Sequence, residues 1–199
     1  MIKNIVFDLG NVLIDFKPQI FLAYLGFNEE DIKLFNNIVF AGKEWNMYNQ
    51  SKYDANEVHS ALINNYPEYT DKINTIFQNI DYNYILFLKH DVSDYLKELK
   101  KQRFNIYILS DLSVDSYNHN RNFKFFNYID GGVYSFEIGS TKPNKANYLE
   151  LLNKYNLIAN ETIFIDDKIE NVEAANKVGI HGIQFISLDS LKDNISKLI

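Results

Sequence analysis

Four places in this sequence put chemically capable side chains at the end of an apolar run or in a tight loop. Ile5-Val6-Phe7 runs into Asp8, 104–109 into Ser110-Asp111, and 162–165 into Asp166-Asp167. Lys142 sits in the loop Gly139-Ser140-Thr141-Lys142-Pro143, just ahead of a helical pattern. In an open parallel sheet, ligands bind outside the carboxyl ends of the strands, where all four would lie. A carboxylate cluster, a hydroxyl and a lysine in that position form a set suited to phosphate. Asp8, Asp166 and Asp167 would repel one another strongly if all were ionised. Lys142 and a divalent cation would relieve that repulsion, so the site is expected to depend on a metal.

The elements that must position these residues follow from periodicity. Short continuous apolar runs at 5–7, 104–109, 162–165 and, more weakly, 182–186 suit strands buried on both faces. Between them lie helical patterns. Val92, Tyr95, Leu96 and Leu99 share one face; Tyr148, Leu152 and Tyr155 share another; Ile169, Val172 and Ala175 share a third, with Gly179 placed to end it. Strands alternating with helices give an α/β fold, with a parallel sheet covered on both faces. Residues 16–88 break the alternation and read as helices only. Pro18 suits a first turn. Asn28 caps an acidic first turn ahead of Ile32, Phe35 and Val39; Asp54 with Glu57 is a capping box; Thr70 precedes Ile73, Ile76, Phe77 and Ile80. The expected organisation is a catalytic core of 1–15 and 89–199, with 16–88 inserted as an α-helical cap.

The stretches FDLGNVLID, ILSDLS, GSTKPNKANYLELL and TIFIDDKIENVEAANKVGI resemble, in order and spacing, the four motifs of the haloacid dehalogenase-like superfamily. The resemblance spans essentially the whole chain. It is nearest to subfamily IA, with an α-helical C1 cap, and to glucose-1-phosphate phosphatase-like members and the phosphatase domain of soluble epoxide hydrolases. It implies a Rossmann-like three-layer core and a phosphatase acting on a small phosphorylated metabolite. Asp8 would be the nucleophile, forming an aspartyl-phosphate. Mg²⁺ would bind Asp8, the backbone carbonyl of Gly10 and Asp167, all hard oxygen ligands. Asp166 and Asn171 would support them. Ser110 and the backbone amide of Asp111 would hold phosphate oxygens, and Lys142 would neutralise the transferring group. Asp111 departs from the Asn common in this subfamily; a backbone contact survives that change.

The main departure is Gly10. Most phosphatases of the superfamily carry Asp there, to protonate the leaving group and then activate water. Gly10 keeps a carbonyl for a metal and has no acid to offer. The expectation is a phosphatase of modest turnover that favours better leaving groups, such as anomeric sugar phosphates or acyl phosphates. Two alternatives stand beside it: a metal-independent 2-haloacid dehalogenase and a non-catalytic phosphate-binding protein. In the cap, Gly42-Lys43-Glu44-Trp45-Asn46 is expected over the site, with Glu44 or Trp45 touching the leaving group. Trp45, the single tryptophan, is equally suited to the cap's apolar core.

Composition narrows the remaining classes. The 199 residues are 46% apolar and 15% aromatic, which supports a substantial core. A net charge of -6 argues against a nucleic-acid or anionic-membrane surface. Without cysteine there is no disulfide, thiolate metal site or thiol nucleophile. No apolar run reaches the length of a membrane span. The strand pattern begins within three residues of Met1, so no signal peptide and a cytoplasmic protein are expected. His59, His90, His119 and His181 show no metal-binding spacing, and nothing indicates an oligomeric state.

Overall fold

A computed structural model describes residues 1–199. The sheet explains the layering. Strands β1 (Asn4–Phe7), β2 (Ile14–Phe16), β3 (Leu86–Leu88), β4 (Asn105–Ser110), β5 (Gly131–Tyr134), β6 (Thr162–Asp166) and β7 (His181–Gln184) form two sheets. The larger one is parallel with order β5-β4-β1-β6-β7; β2 and β3 form a separate antiparallel pair. Side chains alternate across the parallel sheet with period two. Ile5, Phe7, Ile106, Ile108, Ile163 and Ile165 face one apolar layer, while Val6, Leu109, Val133 and Phe164 face the other. Each fully buried Ile or Phe here stabilises the fold by about 1.5–3 kcal/mol.

The inserted helices are α1 (Pro18–Tyr24), α2 (Glu29–Phe35), α3 (Lys43–Asn49), α4 (Ala55–Asn65) and α5 (Thr70–Gln78). The core helices are α6 (His90–Lys101), α7 (Val114–Asn120), α8 (Ser135–Ile138), α9 (Lys145–Lys154), α10 (Ile169–Lys177) and α11 (Leu188–Ser196). Leu96 and Leu99 of α6 and Leu191 and Ile195 of α11 cover one face of the sheet; Tyr148 and Leu151 of α9 and Ala174 and Ala175 of α10 cover the other. This is the expected three-layer α/β arrangement. No helix is long and apolar enough to cross a membrane.

Local signals act as their chemistry requires. The Asn28 side chain accepts from Asp31 N, and Asp54 and Glu57 exchange both bonds of a capping box, a feature worth about 1 kcal/mol. Two expectations need correction, and one strand was not expected. Residues 16–88 are not helical throughout, because Leu86–Leu88 pairs with Ile14–Phe16 and closes the insert with a two-stranded neck. The helix expected to run through Val39 ends at Phe35 and widens into a π-turn over Asn36–Phe40. Strand β5, with two glycines and only four residues, carried no apolar run to mark it.

Candidate active site

The topology gathers the site. β1 lies between β4 and β6, with Phe7 paired to Ile108 and Ile165, so all three strands end at one edge of the sheet. Asp8, one residue beyond Phe7, is fixed by its N–H donating to the Ile165 carbonyl at 2.9 Å. Ser110 and Asp166 occupy the matching ends of β4 and β6. Lys142 reaches in from the loop between α8 and α9. Its Nζ lies 2.6 Å from Asp166 Oδ2, 2.9 Å from Asp8 Oδ1 and 3.1 Å from the Leu109 carbonyl. The loop is held by Asp111, whose two carboxylate oxygens each accept from Lys142 N at 3.1 Å. That gives the unexpected acid at position 111 a structural task.

Asp166 is engaged on both oxygens. Its Oδ1 accepts from Lys168 N and Asn171 Nδ2, both at 2.9 Å, and Oδ2 takes Lys142. Asp166 and the Lys142 side chain are almost completely out of water, with exposures of 0% and 2%. Burial favours a neutral Lys142, but Asp8, Asp166 and Asp111 outweigh it and hold the ammonium charged, its pKa raised above the lysine range. Burial, with the Asp166 charge in the same direction, pushes the Asp8 carboxyl up to about 7 against the pull of Lys142 and the Ser110 hydroxyl. Asp111 is likewise raised by burial, with Lys142 opposing.

The donor set fits a hard divalent cation. Oxygens of Asp8, Asp166 and Asp167 lie within 4.8 Å of one another. Asp166 is committed to three hydrogen bonds and does not line the cavity, whereas Asp8 and Asp167 do, so these two are the carboxylates placed to bind. Oδ1 of Asp8 is enclosed and, although close to Lys142, has no aligned hydrogen-bond donor. Asp167 is half-buried and steadied by Asn11, whose Nδ2 donates to its Oδ2 at 3.2 Å.

A cavity of about 660 Å³ opens above this floor, between the core and the inserted helices. Asp8, Gly10, Ser110, Asp111, Lys142 and Asp167 all line it, as do Asn171 and Trp45. Asp166 lies beneath. Ser110 does not cap a helix; Ser113 caps α7 by accepting from Ser116 N. Trp45 packs in the apolar core of the inserted helices, its ring on Phe40 and Tyr48 at 4.9 and 5.4 Å, and it also lines the cavity. Glu44 is a correction. It is absent from the cavity wall, and its carboxylate accepts instead from Asn65 on α4 at 2.9 Å. Sequence reasoning missed Asn11, Asn120 and Lys168, which also line the cavity. Asn11 was the findable one: an Asn after Gly readily takes the left-handed conformation, here φ 56°, that turns its side chain to Asp167.

Comparison with known proteins gives the chain its family. The chain is 26% identical over 188 residues to a sesquiterpene phosphatase of Aspergillus oryzae, covering 91% of this chain and 88% of that protein. It is 26% identical over 204 residues to a D-ribitol-5-phosphate phosphatase of Bacteroides thetaiotaomicron, covering 92% of each. Among solved structures, a HAD family enzyme of Bacteroides thetaiotaomicron in complex with magnesium and inorganic phosphate matches with a TM-score of 0.72, at 19% identity over 94% of this chain and 96% of that one. The L-2-haloacid dehalogenase of Xanthobacter autotrophicus matches with a TM-score of 0.68, at 17% identity over 99% and 83%. At such identities the structural likeness is one of fold. Residues 2–179 match the haloacid dehalogenase-like hydrolase family, and the chain belongs to it.

Proposed function

We propose that this protein is a Mg²⁺-dependent phosphatase of a small phosphomonoester, a sugar phosphate, working through an aspartyl-phosphate on Asp8. The observation that carries the proposal is the buried Lys142 bridging Asp8 and Asp166, with Asp167 beside them. A carboxylate attacking phosphorus needs alignment and positive charge around the transferring oxygens more than it needs intrinsic nucleophilicity. Asp8 supplies the attacking oxygen. Lys142 and the Ser110 hydroxyl hold phosphate oxygens against it, and Asp166 with Asn171 keeps Lys142 in place. Asp8, the Gly10 carbonyl and Asp167 would hold Mg²⁺, which when bound neutralises phosphate charge. Water then hydrolyses the aspartyl-phosphate.

Gly10 leaves the leaving group without the usual acid. With Glu44 turned to Asn65, no carboxylate of the cap replaces it. The favoured substrates therefore leave as weakly basic oxygens, as an anomeric sugar phosphate does. The cavity lining supports a hydroxylated leaving group over an apolar one, since only 8 of its 27 residues are hydrophobic. The two phosphatase relatives are named for one leaving group of each kind. The acidic pair Asp166-Asp167 and the buried lysine favour phosphoryl transfer over carbon displacement of halide.

The test is phosphate release from a panel of sugar, acyl and nucleoside phosphates. Activity is expected to require Mg²⁺, to vanish with EDTA, and to fall at least about 10⁴-fold in Asp8→Asn. Equal rates with and without EDTA overturn the proposal. Metal-free chloride release from a 2-haloacid would establish the dehalogenase instead.

A further inference from the structure

We infer that Asn120 anchors a leaving-group subsite in which it, Ser116, Asn46 and Asn49 receive the hydroxyls of a neutral polyol. The inference rests on the phosphatase reading above and deepens it. Asn120 lines the cavity at 3% exposure, and its Oδ1 is fully enclosed without any hydrogen-bond donor from the protein. Oδ1 is out of a ligand's reach, so the working end of the carboxamide is Nδ2, which has no partner in the protein and is not enclosed: a preformed donor to a ligand hydroxyl.

The neighbours extend it. Ser116, four residues earlier on α7, shares a helix face with Asn120 and also lines the cavity. Its Oγ accepts from Ser113 Oγ at 3.1 Å, which leaves its own O–H free to donate. Across the cavity, Asn46 and Asn49 are three residues apart on one face of α3. α3 is fastened to the core on this side: Tyr48 Oη donates to the Asp115 carboxylate of α7, and Ser135 Oγ at the start of α8 donates to the Asn49 carbonyl at 2.6 Å. Carboxamides and hydroxyls both donate and accept, as sugar hydroxyls do. Away from the phosphate end, the only charged residue lining the cavity is Lys43. An alkyl leaving group would bury these amides without partners, which is strongly disfavoured.

The experiment measures kcat/KM with Mg²⁺ for matched esters: glycerol 3-phosphate against n-propyl phosphate, and a hexose 6-phosphate against n-hexyl phosphate. The wild type is expected to prefer each hydroxylated ester. Asn120→Leu, nearly isosteric, is expected to cut that preference about tenfold or more. Taking the ratio cancels any general loss of activity. Asn46 is exposed, so Asn46→Ala keeps its fold and is expected to cut the same ratio several-fold. A wild-type ratio near one, or a ratio unchanged in either variant, overturns the subsite. Failure to release phosphate from any of the four esters or from p-nitrophenyl phosphate would instead overturn the phosphatase reading.

Discussion

At the floor of the cavity, Lys142, Asp8 and Asp166 are buried and held together by their charges. At its far side, Lys43 and Asn46 are exposed and Asn49 half-buried, on a helix of the insert. The floor depends on mutual compensation: each charge is tolerable only because the others are present. The far side has no such dependence. On the proposed reading, chemistry is confined to a region where any change is felt throughout, and substrate choice to one where changes stay local.

Breaking the floor gives the largest expected effect. Lys142→Met would leave two carboxylates buried without their cation. It is expected to lower stability by about 3–5 kcal/mol, measured by urea unfolding. A loss below about 1 kcal/mol would make the floor no different from the exposed side. The pH dependence of the metal-free protein comes next. Asp8 ionises near 3.8 when unfolded but only near 7 in the folded state, so the native protein binds the extra proton between those values. Stability contributed by the protonated group is thus fully present below about pH 4 and falls as pH rises towards 7, by on the order of 2–4 kcal/mol. Denaturation of the metal-free wild type and Asp8→Asn at pH 4.5 and 7.5 measures this, and the slope should be shallower in the variant.

Restoring the missing acid sharpens the contrast. A Cβ at Gly10 would lie 3.8 Å from Asp8 Oδ2, an ordinary contact, at a backbone conformation open to other residues. Gly10→Asp is expected to raise turnover about tenfold or more on alkyl phosphates and far less on acyl phosphates. A uniform response across a leaving-group series would show that proton supply is not what limits the enzyme. The smallest effect belongs to the seam between the two regions. Tyr48→Phe removes the hydrogen bond from α3 to Asp115. About 1–2 kcal/mol of stability and a few-fold rise in KM are expected, from thermal unfolding and steady-state kinetics.

The floor was legible in the sequence because each of its acids ends an apolar strand, a local and uncommon pattern. The capping box at Asp54 and Glu57 was legible for the same reason: its partners are three residues apart. What escaped is non-local. Asn120 looks like any surface helix residue until the fold buries it in the cavity wall. Glu44 neighbours Trp45 in sequence, yet the helix turns it to α4. Strand β5 needed glycines because the Tyr155 and Tyr134 rings lie 2.5 and 2.7 Å from where a Cβ would sit at Gly131 and Gly132. Packing imposed that composition and hid the strand from a search for apolar runs.

The two-stranded neck has a further consequence. Phe16 and Leu86 face each other in register, so the chain leaves the core and returns to it at adjoining points. Loop-closure entropy grows only slowly with length, so such a junction admits segments of very different size at nearly equal cost. The length of residues 17–85 is in this sense free to vary, provided the replacement also covers the apolar surface they share with the core. Exchanging them at the neck would re-dress the enzyme for another alcohol while the lysine and carboxylates beneath stayed where the central strands put them.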